Sequence, residues 1–339
     1  MNSILKQRYP FIDMAKGMLI VCLVFHHIVS IARKEISVDN MMYITKIDVL
    51  FVPYFMQAFF FITGFCSSFN KKFSSFLITN IKTLLFPLLF FSVLTQLIDW
   101  LLWDDEFLYV TVFGKKFFFV IELFWFLSSL FIAKHMMFAI NFLFKNWFVQ
   151  LLVILIPFFL AVNLNDQAFH SYNYFHWHNA FVNLFFLWIG FWVRKKDLLC
   201  YCFRCKFSMA ILYILGIIFF ILCNKNIPYY THVPHFTIKD TFAFIYFSLI
   251  GTCMIIQIAK DLPSNKYLIF LGKNTIVVYG IHFSVLSVVV FFCGYLFSPQ
   301  NYVEGTLYYI IVGLISLFCS YLFCNLFQRA PFTYFLGRF

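Results

Sequence analysis

Two adjacent histidines, His26 and His27, lie deep in the first apolar run of the chain, DMAKGMLIVCLVFHHIV. A titratable side chain inside a bilayer is costly, so its presence there points to chemistry. Lys16 stands eleven residues before His27. Three helical turns take about 10.8 residues, so Lys16 and His27 share a face, about 16 Å apart along the axis. An ammonium near a membrane surface and an imidazole near mid-depth suit a long, anionic, rod-like cofactor that enters from one side. The plainer alternative is a polar pair that only holds helices together.

The elements that must position these residues are membrane helices. The 339 residues are 63% hydrophobic and include 53 Phe, which excludes an ordinary soluble domain. The first apolar run is long, is followed by others and lacks a small-residue cleavage site, so it is expected to stay as an anchor. About ten runs approach the ~20 residues needed to cross a bilayer. Their limits are near 14–33, 47–68, 80–102, 117–140, 147–163, 179–194, 207–224, 241–259, 275–297 and 304–327. With both termini in the cytoplasm, 17 of the 25 Lys and Arg fall inside and 7 outside, with Lys16 at the boundary. The positive-inside bias therefore predicts an all-α, polytopic protein of about ten transmembrane helices with both ends cytoplasmic. Residues 1–339 form one integral membrane domain on this reading.

The net charge of +11 is then a topology signal. With no soluble basic domain and no recognition helix, nucleic acid is not an expected partner. Most of the ten Cys are scattered through spans as small apolar residues. Cys200, Cys202 and Cys205 cluster in an inner loop but lack an evident fourth ligand, so no metal is expected. Two outer loops, NLNDQAFHSYNYFHWHN and NKNIPYYTHVPHFTIKD, gather five His and many aromatics. Such residues serve equally as interface anchors or as a carbohydrate-facing surface.

Further polar residues interrupt the other spans. Pro53, Gln57 and Gly64 lie in the aromatic second span, where Gly64 would permit close helix approach. Lys82 stands at the mouth of the third span, placed to bind an anion or to snorkel. Glu122 and Trp125 open the fourth span, and Asn183 and Gly190 lie in the sixth. The stretch LGKNTIVVYGIHF carries Lys273, Asn274, Tyr279 and His282. Tyr279 and His282 are three apart and share a helix face.

At these stretches the chain resembles the acyltransferase 3 family of integral membrane acyltransferases, over roughly residues 9–327. Its likeness is to the fucose O-acetylase-like branch of bacterial polysaccharide O-acetyltransferases. Asp13, Lys16, Gly17 and His27 match the family's opening pattern, which singles out His27 over His26. FMQAFFFITG matches the second-span pattern, with Gln57 in place of Pro and Thr63 in place of Ser. Asn80 and Lys82 stand where many members carry two cations. Trp125 to Leu127 match the W-F-L stretch, followed by Ser128, Ser129 and Leu130 where many members have a Glu. LGKNTIVVYGIH matches the terminal pattern.

The resemblance implies transfer of an acyl group, usually acetyl from acetyl-CoA, to a sugar hydroxyl of a surface glycan or its precursor. Acetyl-CoA would be a substrate, with no permanently bound cofactor, and the site would lie in the inner (cytoplasmic) membrane. Lys16 and Lys82 would hold the donor. His27 would be the catalytic base or acyl carrier. Asp13, Glu122, Trp125, Lys273, Asn274, Tyr279 and His282 would support them. Asp13 lies about 21 Å from His27 along an ideal helix, so it cannot orient that imidazole from its own span. A polytopic exporter of a lipid-linked sugar or small metabolite is the alternative class, as is a non-catalytic partner in glycan assembly.

The charge split makes a testable map. Reporter fusions at residue 200 and at the C-terminus are expected to report the cytoplasm, and one at residue 170 the opposite side. An outside signal at residue 200 overturns the ten-span topology.

Overall fold

Backbone groups in lipid find no water, so they must bond within their own segment. The described part of the chain meets this with helices. A computed structural model describes residues 9–34, 36, 44, 51–103, 124–163, 176–199, 206–222, 238–329, 333 and 336. Its helices are α1 (Pro10–Ala32), α2 (Val52–Cys66), α3 (Phe73–Asn80), α4 (Phe86–Trp103), α5 (Trp125–Leu143) and α6 (Trp147–Asn163). After these come α7 (Trp177–Lys195), α8 (Ser208–Leu222), α9 (Ile238–Asp261), α10 (Lys266–Lys273), α11 (Thr275–Leu296) and α12 (Tyr302–Leu326). A π-helical turn, Ile81–Leu85, joins α3 to α4 in one continuous rod. No strand occurs among the described residues.

Every apolar run expected to cross overlaps a helix. Among the described residues, six helical segments are long and apolar enough to span a bilayer: Pro10–Ala32, Phe73–Trp103, Trp125–Leu143, Lys239–Asp261, Thr275–Leu296 and Tyr302–Leu326. The protein is thus an all-α, multi-pass membrane protein. The helices Val52–Cys66, Trp147–Val162 and Ser208–Leu222 are shorter. α2 shows why a short helix suffices: all of it except Thr63 and Cys66 is buried in the bundle. It answers to protein neighbours rather than to the thickness of the hydrocarbon.

Two glycine crossings set the bundle. At the first, Gly17 of α1 meets α10 so closely that a Cβ would lie 2.0 Å from the Leu268 carbonyl oxygen. Opposite it, a Cβ on Gly272 would lie 1.7 Å from the Asp13 carbonyl oxygen. At the second, a Cβ on Gly64 of α2 would lie 1.9 Å from the Leu187 carbonyl oxygen of α7. A Cβ on Gly190 of α7 would lie 1.9 Å from that of Phe61. Hydrocarbon tails are as apolar as leucine, so helix association in a bilayer rests on such close van der Waals fits.

Polar side chains add the remaining ties. Asn265 caps α10 by accepting from the Tyr267 and Leu268 amides. Asn274 breaks the chain between α10 and α11, donating to the Phe270 carbonyl and accepting from Gln328 Nε2 at 3.0 Å. Deep between α4 and α11, the Thr95 and Ser284 hydroxyls pair at 2.9 Å. Ser287 donates to Asp99 Oδ1 at 2.8 Å, and Lys34, just past α1, reaches Asp99 Oδ2 at 3.0 Å. One carboxylate thereby joins three elements.

The crossings predict a sharp contrast. Gly64→Ala must push two backbones apart and is expected to destabilise by about 1–3 kcal/mol. In Gly216→Ala the nearest obstacle is the movable Tyr246 ring, at 2.7 Å. Thermal unfolding in detergent should show a clear loss for Gly64→Ala and a much smaller one for Gly216→Ala. Equal melting temperatures would remove the crossing from its structural role.

Candidate active site

The crossing of Gly17 with α10 carries α1 against α10 and, beyond it, α11. Ten residues past Gly17 on α1 comes His27. On α11, His282 comes to meet it, with ring centroids 5.2 Å apart. Phe283 packs on both imidazoles, at 4.6 Å from His27 and 4.2 Å from His282. Phe124, just before α5, closes the edge at 6.4 Å from His282 and 5.7 Å from Phe283. His26 packs beside His27, ring centroids 4.9 Å apart, and against α2, 5.7 Å from Phe55 and 6.3 Å from Phe51.

His282 is held in one tautomer. Its Nδ1 contacts the Tyr279 carbonyl, which can only accept, so the neutral ring carries its hydrogen on Nδ1. Nε2 is left as a buried acceptor with no partner among the described residues. A lone pair held in place and unfilled is suited to receive a proton or to orient a donor.

A cavity of about 230 Å³ approaches this pair from one side. Lys16 and Lys134 stand on its wall, with Thr63 and Cys66 of α2, Thr83 of the π turn and Tyr279 of α11. Neither imidazole lines it. Tyr279 lines it and also neighbours the pair, its ring 5.5 Å from that of His282. Phe124 and Phe126 brace Tyr279 at 5.7 and 5.4 Å. The two α2 residues not buried in the bundle, half-buried Thr63 and exposed Cys66, face this cavity.

The other expected site residues fall as follows. Asp13 is buried and bonds Lys16, Oδ1 to Nζ at 3.2 Å, within the opening motif itself. Lys82 is exposed and does not line the cavity, because the wider π turn presents Thr83 and Leu84 there instead. Lys273 is exposed at the end of α10, and Asn274 is engaged in the break between helices. Trp125 lies 6.4 Å from His176, whose carbonyl accepts from Ser129. Glu122 and the Cys200, Cys202 and Cys205 cluster lie outside the described residues, as do His170, His232 and His235. Lys134, Phe124 and Phe283 were not singled out by the sequence patterns. A lysine within the fourth apolar span was the available signal for the first of them.

A family model described as an acyltransferase domain, that of the acyltransferase 3 family, matches residues 9–325. The chain belongs to that family and is a membrane acyltransferase. No curated protein and no solved structure gives a match.

The paired imidazoles yield a direct test. His282→Phe keeps a ring and removes both nitrogens. It is expected to lower acyl-transfer turnover about a hundredfold or more, with membrane abundance unchanged. His26→Phe is expected to retain most activity. The reverse ranking would move the chemistry to the other face of α1.

Proposed function

We propose that this protein is an O-acyltransferase of the inner (cytoplasmic) membrane that takes acetyl from acetyl-CoA. Its acceptor is a hydroxyl of a cell-surface polysaccharide or of its lipid-linked sugar precursor. The observation that carries this reading is the cavity that runs from the Lys16 ammonium to Tyr279, with His27 and His282 immediately beyond. Family membership supplies the reaction class. The resemblance to the fucose O-acetylase-like branch supports the carbohydrate acceptor.

The dimensions support a donor of this kind. The cavity is smaller than the ~300–1,000 Å³ of a typical small-molecule site. It accommodates the slender pantetheine arm of coenzyme A and leaves the anionic nucleotide at the charged end. That end is cytoplasmic in the proposed topology, where acetyl-CoA is made.

Neutral His27 takes the proton from the acceptor hydroxyl as its oxygen attacks the thioester carbonyl carbon. The new C–O bond forms and the C–S bond breaks. The departing thiolate recovers the proton from the His27 imidazolium. His282, fixed by the Tyr279 carbonyl, steadies the His27 ring and its transient charge. In the acyl-enzyme variant of this sequence, His27 itself attacks the thioester and the hydroxyl attacks second.

His27→Ala is expected to abolish coenzyme A release from acetyl-CoA in membranes bearing the protein, a fall of about 10²–10⁴-fold. Surface glycan from cells carrying the variant should lack the acetyl mass increment that the wild type adds. Coenzyme A release that persists in His27→Ala removes the proposed base. A wild type that adds no acyl group to glycan removes the acceptor class.

A further inference from the structure

The two cations on the cavity wall are not equivalent. Lys16 has a carboxylate at hand: Asp13 Oδ1 lies 3.2 Å from its Nζ, and Asp13 is buried. The pair is close to neutral before any ligand arrives. Lys134 of α5 makes no hydrogen bond or ion pair among the described residues. Its ammonium lies 5.8 Å from the centre of the Phe76 ring, a weak substitute for a counter-ion. The charge that acts on it is that of another cation, Lys71. Next to it, His135 is occupied with its own helix, Nδ1 bonding the Phe131 carbonyl at 2.7 Å.

An ammonium drawn into a bundle interior is costly unless an anion compensates it. Here it lies partly buried, without a carboxylate, on the wall of a cavity that also carries the Ser67, Thr63 and Thr83 hydroxyls. We infer that Lys134 is the principal phosphate anchor of this cavity. It holds the phosphate end of a phosphopantetheine-type acyl carrier while the thioester end points toward Tyr279. This deepens the acetyl-CoA reading above and rests on it. It also gives a physical reason why Lys82, which is exposed, and Asn80, which is neutral, need not supply a cation pair. The cation comes from the neighbouring helix.

A free phosphate ester and a lipid headgroup present the same chemistry to Lys134, so the experiment separates them. Purified protein in nanodiscs is titrated with coenzyme A and, separately, with pantetheine, which has the same arm and no phosphate. Lys134→Gln is expected to weaken coenzyme A binding at least about tenfold, to flatten its dependence on salt, and to leave pantetheine binding unchanged. Lys134→Arg, which keeps the charge, is expected to bind coenzyme A within a few-fold of wild type. That variant also guards against a folding artefact in Lys134→Gln. Coenzyme A affinity that is unchanged in Lys134→Gln overturns the anchor and leaves the acyl-CoA reading standing. Unchanged affinity together with loss of a co-purifying anionic phospholipid, read by native mass spectrometry, assigns Lys134 to lipid instead. A wild type that binds no coenzyme A overturns both.

Discussion

Everything at this site depends on how closely two backbones can approach at the start of α1. Gly17 and Gly272 each stand where a single methyl group would collide with the opposing carbonyl oxygen. That contact fixes the depth and rotation of α1 against α10. Because α11 follows α10 after only Asn274, it also fixes α11 against α1. His27 and His282 therefore meet as a result of packing roughly three turns away. The second glycine crossing, between α2 and α7, does the same for the opposite wall, where Thr63 and Cys66 face the cavity. In a bilayer, where apolar surface gains little by leaving lipid, this sort of steric fit takes the part that the hydrophobic effect plays in water.

Several polar groups tie helices to one another: Thr95 pairs with Ser284, Ser287 and Lys34 bond Asp99, and Gln150 accepts from both Trp188 and Trp192. Two groups at the site make no such pair. His282 Nε2 is buried with an unused lone pair, and Lys134 has no carboxylate among the described residues. An open polar group in a low-dielectric interior is destabilising, and retaining one makes sense where a ligand or a proton will complete it. Here Lys134 lines the cavity, and His282 lies next to Tyr279, which lines it too.

Much of this was legible in the sequence, for reasons that also explain what was not. Long apolar runs mark helices because lipid leaves the backbone no other solution. The spacing of Lys16 and His27 is a local property of one helix and could be read directly. Gly64 was legible as a contact point. The meeting of His27 with His282 was not, since it joins residues far apart in sequence through a crossing that no periodicity encodes. Lys82 was expected to hold the donor from its place at the mouth of a span and from the family resemblance, whereas in the π turn at Ile81–Leu85 Thr83 and Leu84 line the cavity and Lys82 does not. Lys134 was visible only as one more charge in the topology count, since what distinguishes it is the lack of a partner in three dimensions. Asp13, too far from His27 to serve it, proved to belong to Lys16.

The position of Tyr279 has a consequence for the membrane itself. Its ring lines the cavity and lies 5.5 Å from that of His282, which does not line it. Any protein that opens a water-filled recess deep into a bilayer risks short-circuiting the ion gradients across it. A braced aromatic ring on the wall of such a recess, with the imidazoles outside its lining, denies bulk water a direct path to them and favours an insulating barrier.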